Sequence, residues 1–323
     1  MAAGLPLSLS STHVPDVFNL IASSLSPLNP AARKQASQML EACQAIPGFC
    51  AVLQAIFVDG ARPDDARLMA LICAKLTVTA QWQPRRMRGL FARRGADSGS
   101  ARAPTGYVSD AEKAHVRAAL LQQLGEPDAK LRLQLSILIA KVARFDWDSA
   151  WPELFETLLA ALRSDSPPHR CGGALTMYRC VKELSTKRML SDRTRFARTA
   201  AQLLPPVLPL WEECVAKLLA RLAALCQAGA TLPTLAQLRA SHDPAAAARA
   251  LSAQISVELA GAEQDAAMCK HVTKVLYQCG KAAFKTSADE PPTRRLFQAA
   301  LEQRSTLLRC RAALRALGAQ LDA

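Results

Sequence analysis

The 323 residues are half apolar, contain only 5% aromatics and 14 glycines, and carry a net charge of +13. That apolar content is enough for a continuous core, but so few aromatics and glycines exclude the usual all-β solutions, which need aromatic and β-branched strands and Gly-rich turns. Ala, Leu and Arg, all good helix formers, dominate, so the chain is expected to be all-α; the charge favours acidic partners or nucleic acid without choosing between them.

In chain order, Asp16 to Ser24 forms a short amphipathic helix with Val17, Leu20 and Ile21 on one face. Asn29 caps a longer helix that starts at Pro30 and is broken by Pro47–Gly48. Phe49 to Val58 is the next helix. Asp59–Gly60 turns the chain, and Pro63, Asp64 and Asp65 open a helix that runs to Trp82 and is stopped by Pro84. Gln83 to Tyr107 has no helical period. It holds Arg85, Arg86, Arg88, Arg93, Arg94 and Arg102 against the single acid Asp97 and reads as a basic loop. Ser109 with Glu112 makes a capping-box pattern for a helix through Leu124, and Gly125 suits the left-handed position after it.

The stretch Pro127–Leu162 organises the chain. Leu131, Leu135, Leu138, Val142 and Phe145 recur at intervals of four and three, the period of one helical face. Trp147 and Asp148 end that run, and Ser149 precedes a second helix with Pro152 and Glu153 in its first turn. A further helix covers about His169 to Arg188, with Gly172–Gly173 as a weak spot. Asp192 to Leu204 and Leu210 to Gln227 read as separate helices punctuated by Pro205, Pro206 and Pro209. Thr231–Pro244 is loop-like, Ala245–Lys285 makes one or two helices, and Pro291–Pro292 starts the last ones.

Ten cysteines occur without any C-x-x-C pair, mostly inside apolar helical runs, which suits free buried thiols and a reducing compartment. The first residues lack a basic n-region and a long apolar core, so no signal peptide is expected; no apolar run is long enough to predict a membrane span. Cys269, His271 and Cys279 match no common zinc spacing, so helix packing is the preferred reading there. Trp82, Trp147 and Trp151 are read as packing residues between units. No phosphate-cradling glycine loop, H-E-x-x-H pair or local nucleophile–histidine pattern is present, so no catalytic residue, cofactor or metal is assigned.

Spacing organises these helices further. Ala74–Lys75, Ala140–Lys141 and Val181–Lys182 occupy similar places in three helices, and Trp82 and Trp147 follow the first two. Lys141 to Lys182 is 41 residues, and Lys75 to Lys141 is 66, or 41 once the 25 residues Gln83–Tyr107 are set aside. A period near 40 with two helices per unit predicts an α-solenoid of HEAT or armadillo-like antiparallel pairs with a concave inner wall. Burying each stripe leucine is worth about 1.5–3 kcal/mol, far more than an exposed ion pair at about 0–1 kcal/mol.

Four motifs carry a resemblance. The Pro47–Phe49 tripeptide, and Arg67, Ala70 and Lys75 with the distal Trp82, resemble the N-terminal domain of the importin-β (karyopherin-β) family. The runs LSILIAKVARFDWDSAWPEL and YRCVKELSTKRMLSDR are similar to its importin-eleven branch. The resemblance covers about Asp16 to Ala200. It implies HEAT repeats over 16–82 and 108–204 around the loop 83–107; segment 1–15 is read as flexible, and 205–323 as further helical repeats by pattern only. It also implies a nuclear transport receptor, shuttling between nucleus and cytoplasm, whose N-terminal repeats bind the GTPase Ran in its GTP form through the second helix of each pair. Matched onto this sequence, the binding residues are Arg67, Lys75, Lys141, Lys182, Lys187 and Arg188. Arg144 is added because it falls on the face of Lys141, three residues on. Cargo protein and nucleoporins are the other partners implied. Family members run much longer, so the chain is expected to be truncated, without the cargo-binding part.

Each basic feature has a plainer reading. Lys75 and Lys141 also suit lysines snorkelling at the edge of an apolar face. The arginines Arg85 to Arg102 suit a solvated loop as well as an acidic partner or RNA. The competing function is a basic helical scaffold that binds RNA or acidic proteins without transport activity.

Overall fold

The computed structural model describes residues 7–83, 108–230 and 243–283. Among them every regular element is helical: a 3-10 turn at Ser11–His13, then α1 (Val14–Leu25), α2 (Pro30–Cys43), α3 (Phe49–Val58), α4 (Asp64–Gln81), α5 (Asp110–Gln122), α6 (Ala129–Asp146), α7 (Leu154–Leu162), α8 (Pro167–Ser185), α9 (Leu190–Ala230) and α10 (Pro244–Ala283). The chain divides into two compact units, Met1–Leu184 and Ser185–Ala323.

In the first unit α1 packs on α2 and α3 on α4. Between pairs, α1 meets α3, α3 meets α5, and α4 meets α6. From α3 on, first helix stacks on first and second on second, as in the ladder of a HEAT-like solenoid, while α1 also meets α4. Most of the seam is apolar. Leu131, Leu135, Leu138 and Val142 of α6 are buried, with Leu71, Ala74 and Val78 of α4 and Leu154, Leu158 and Leu162 of α7. Phe145, assigned to the same stripe, is only half-buried.

The helix starts follow capping chemistry. Asn29 Oδ1 accepts from Ala32 N at 3.0 Å, and Asp128 Oδ1 accepts from Lys130 N and Leu131 N at 2.9 and 2.8 Å. Asp128 is thus the N-cap of α6. Ser109 caps α5, but Glu112 does not return to Ser109 as a capping box requires. Its carboxylate crosses to the start of α3 and accepts from Gly48 N and Ala51 N, both at 3.1 Å. It serves two orphan amides of another helix.

The structure corrects several expectations. Helix α7 starts at Leu154, and Ser149 lies in the preceding turn, where Trp151 N donates to Asp146 O at 2.9 Å. Gly48 is the one described glycine with positive φ, at 88°, so Gly125 does not take the left-handed position. A Cβ on Gly48 would lie 2.0 Å from Leu9 O. Leu9, within the segment expected to be flexible, is held there, its N donating to Pro47 O at 2.8 Å.

Gly172–Gly173 is a contact point rather than a weak spot. A Cβ on Gly172 would meet Leu124 O at 1.8 Å, and one on Gly173 would meet Ala161 Cβ at 2.7 Å. The absent side chains let α8 approach both α7 and the end of the α5 segment.

In the second unit the proline cluster does not divide the helix: α9 runs through Pro205, Pro206 and Pro209. Leu203, Leu204, Val207, Leu208 and Trp211 are buried, while Pro205 and Pro209 face solvent. The carbonyls the prolines leave unpaired are thus on the wet side, where water can serve them. α10 is a single helix packed along α9. Trp211 Nε1 donates to Thr273 Oγ1 at 2.8 Å, and Arg221 Nε to Asp265 Oδ2 at 2.7 Å. The predicted loop Thr231–Pro244 lies almost entirely, and the helices after Pro291 lie wholly, outside the described residues.

Candidate partner-binding wall

The second helices of the pairs, α4, α6 and α8, carry the residues singled out from sequence. Their inward sides are committed to the core, so their remaining sides present the wall. On α4 that side holds Leu68, Ile72, Lys75 and Leu76; on α6 it holds Leu133, Ile137, Lys141 and Arg144; on α8 it holds Tyr178, Arg179 and Lys182. On α4 and α6 the apolar members lie mainly toward the helix start and the cations toward its end. Of these cations Arg144 lies in the last turn of its helix, where the unpaired carbonyls stabilise positive charge.

Lys75 is half-exposed, and no described carboxylate pairs with it. Lys141 and Arg144 are brought together on α8: Lys141 Nζ lies 2.9 Å from Glu183 Oε1, and Arg144 Nη1 lies 3.4 Å from the same oxygen. Arg144 Nη1 also donates to the Glu183 carbonyl at 3.1 Å. Lys182, the next residue back, is exposed with its Nζ 5.9 Å from the Tyr178 ring centre. Lys187 and Arg188 belong to the second compact unit. There Lys187 Nζ lies 3.5 Å from Asp192 Oδ1, and Arg188 is exposed.

Arg67 is placed differently. Its side chain is 9% exposed. It donates to Phe57 O at 3.1 Å, pairs with Asp64 at 3.0 Å and bonds Glu126, itself 7% exposed, in the corner between α5 and α6. Glu126 Oε1 in turn accepts from Asp128 N at 3.1 Å. The guanidinium joins two repeats from inside, so it presents no free donor face to the wall. At the other end of the same interface Trp82 Nε1 and Arg117 Nη1 both reach Asp146 Oδ2, at 2.9 and 2.7 Å. Asp146 was not singled out from sequence. The nearest signal was the D-W pair at the end of the α6 stripe. Trp82 packs between units as predicted, and its indole N–H also joins them. Arg85, Arg86, Arg88, Arg93 and Arg94 lie outside the described residues.

Nothing in this arrangement resembles a reaction centre. Burial pushes the Cys73 thiol up to about 11 and Cys279 up to about 12, and Cys50 and Cys180 go up further, with Glu112 and Glu183 adding to the effect. Such thiols stay protonated and unreactive. Among the described residues no three His, Cys, Asp or Glu side chains gather as a metal site needs. What the wall offers is apolar surface beside fixed cations.

Fold and wall together define a class: an α-helical repeat protein with a row of cation-bearing second helices. Comparisons with known proteins carry this further. Residues 36–126 match the importin-beta N-terminal domain. Human importin-11 is 28% identical over 207 residues, which covers 64% of this chain and 19% of that protein. The importin beta-like protein kap113 of Schizosaccharomyces pombe is 24% identical over 186 residues, covering 56% of this chain and 17% of kap113. Among solved structures, the exportin Cse1 in its cargo-free, cytoplasmic state has a TM-score of 0.50 at 15% identity, covering 64% of this chain and 20% of that one. Over residues 36–126 the chain is therefore similar to the importin-beta N-terminal domain, and over 207 residues it is similar to importin-11. It spans about a fifth of the length of the importin-11 it matches.

Proposed function

We propose that the chain binds Ran in its GTP form through the wall of α4, α6 and α8, as part of a nuclear transport receptor that shuttles between nucleus and cytoplasm. The observation that carries this reading is the row of cations, Lys75, Lys141, Arg144 and Lys182, set on rigid second helices of a chain whose residues 36–126 match the importin-beta N-terminal domain. Fixed cations steer an acidic partner and set its orientation, while Leu68, Ile72, Leu133 and Ile137 supply the apolar contact that prolongs the encounter. Lys187 and Arg188 add positive charge after α8, and Arg67 holds the repeats that present the wall. Cargo and nucleoporin contacts belong to the same proposal. The function is binding, not catalysis.

A pull-down of Ran loaded with GTP or GDP tests it. Preferential retention of the GTP form supports the proposal, and equal or absent retention of both by folded protein overturns it. The charge of +13 favours a second reading, a basic scaffold for RNA or acidic proteins. RNA binding that falls steeply with salt, combined with no Ran discrimination, would select that one.

A further inference from the structure

Glu183 is the anion in a row of cations, and its setting differs from that of the acids inside the repeats. Glu126 and Asp146 are sealed within the first unit, with side chains 7% and 10% exposed. Glu183 is 22% exposed, and the two cations it holds, Lys141 and Arg144, are 32% and 33% exposed. Water and a partner can reach all three. Releasing a buried carboxylate strands a charge, whereas releasing this one returns it to solvent at little cost.

The geometry of Arg144 points the same way. Its Nη1 donates to the Glu183 main-chain carbonyl at 3.1 Å as well as to the carboxylate at 3.4 Å. When the carboxylate leaves, the guanidinium is still held by the backbone at the end of α8. It stays aimed, and its side-chain entropy is already spent.

We propose that Glu183 is an internal counter-anion, a stand-in for a partner's carboxylate, which an incoming acidic surface displaces from Lys141 and Arg144. The ligand chemistry is a protein segment presenting carboxylates at its surface. This rests on the proposed function for the identity of that protein, but not for the exchange itself. Before binding, Glu183 holds the two cations together and oriented. It also competes, so weakly acidic surfaces fail to dislodge it and the wall gains selectivity. Partly exposed ion pairs of this kind each change an equilibrium constant by a factor of about 1.5–5. Removing the charge from an acid that holds two cations therefore tightens binding of an acidic ligand by about 2- to 20-fold.

The test uses the full chain and a fluorescent hexaglutamate peptide, followed by anisotropy at low and moderate salt. Glu183→Gln keeps the shape and removes the charge. It is expected to bind hexaglutamate about 2- to 20-fold tighter than wild type, with a steeper salt dependence. A second measurement needs no variant. Carbodiimide labelling of wild-type carboxyls, read by mass spectrometry, is expected to rise at Glu183 when hexaglutamate saturates the protein. An affinity of E183Q equal to or weaker than wild type overturns the proposal, as does labelling at Glu183 that falls or stays constant. Ran bound to GTP is run alongside. If hexaglutamate behaves as expected and Ran does not bind, the exchange stands and the Ran reading falls.

Discussion

Gly172→Ala separates what sequence propensity expects from what tertiary packing imposes. In a helix interior, glycine to alanine ordinarily stabilises by about 0.5–1 kcal/mol, because glycine loses more backbone freedom on folding. Here the added methyl would sit 1.8 Å from the Leu124 carbonyl oxygen and 2.9 Å from its carbon. These are backbone atoms, so relief requires α8 or the segment after α5 to move by more than an ångström. Overpacking of this kind costs about 1–3 kcal/mol, and more where backbone must shift. The packing cost exceeds the propensity gain, so G172A should destabilise the first unit by about 1–2 kcal/mol net. Urea unfolding of the full chain, followed by tryptophan fluorescence, measures it, since Trp82, Trp147 and Trp151 all lie in that unit. A midpoint equal to or above that of wild type, at unchanged slope, would show that the close approach of α8 is not enforced and would refute the reasoning.

Three further predictions follow from the same contacts. Asp146→Ala leaves Arg117 and the Trp82 indole N–H without their shared acceptor inside the first unit, and should cost about 3–5 kcal/mol of stability in the same urea titration. Lys75→Ala and Arg67→Ala should behave in opposite ways: the first changes stability by less than about 0.5 kcal/mol yet weakens an acidic ligand, whereas the second unlinks Glu126 and costs about 3 kcal/mol. Paired thermal melts and anisotropy titrations with hexaglutamate check both. Native alkylation with iodoacetamide near pH 8 should modify the half-buried Cys171 and Cys214 first and leave Cys50, Cys180 and Cys279 unmodified until the chain unfolds. Burial holds those three thiols protonated. Peptide mapping by mass spectrometry reads the order.

The sequence determined the helices and their pairing, because both follow from local rules. The α6 stripe, the Asn29 cap and the 41-residue spacing depend on residues close together in the chain, and helical period and capping are local properties. The three cationic helices were legible for the same reason, since a repeat writes its register into the spacing of its lysines. The tertiary structure decided the roles of individual side chains. Arg67 and Lys75 are equally basic and lie on one helix, yet the first is turned toward Glu126, 59 residues away, and the second toward solvent. Glu112 looked like half of a local capping box, but its carboxylate serves α3 instead. The prolines of α9 looked like helix ends and are not, because the burial of Leu204 and Val207 on the opposite face outweighs their cost. In each case contacts distant in sequence decided between the local solutions. No window of the sequence contains those contacts, so only the folded chain could assign them.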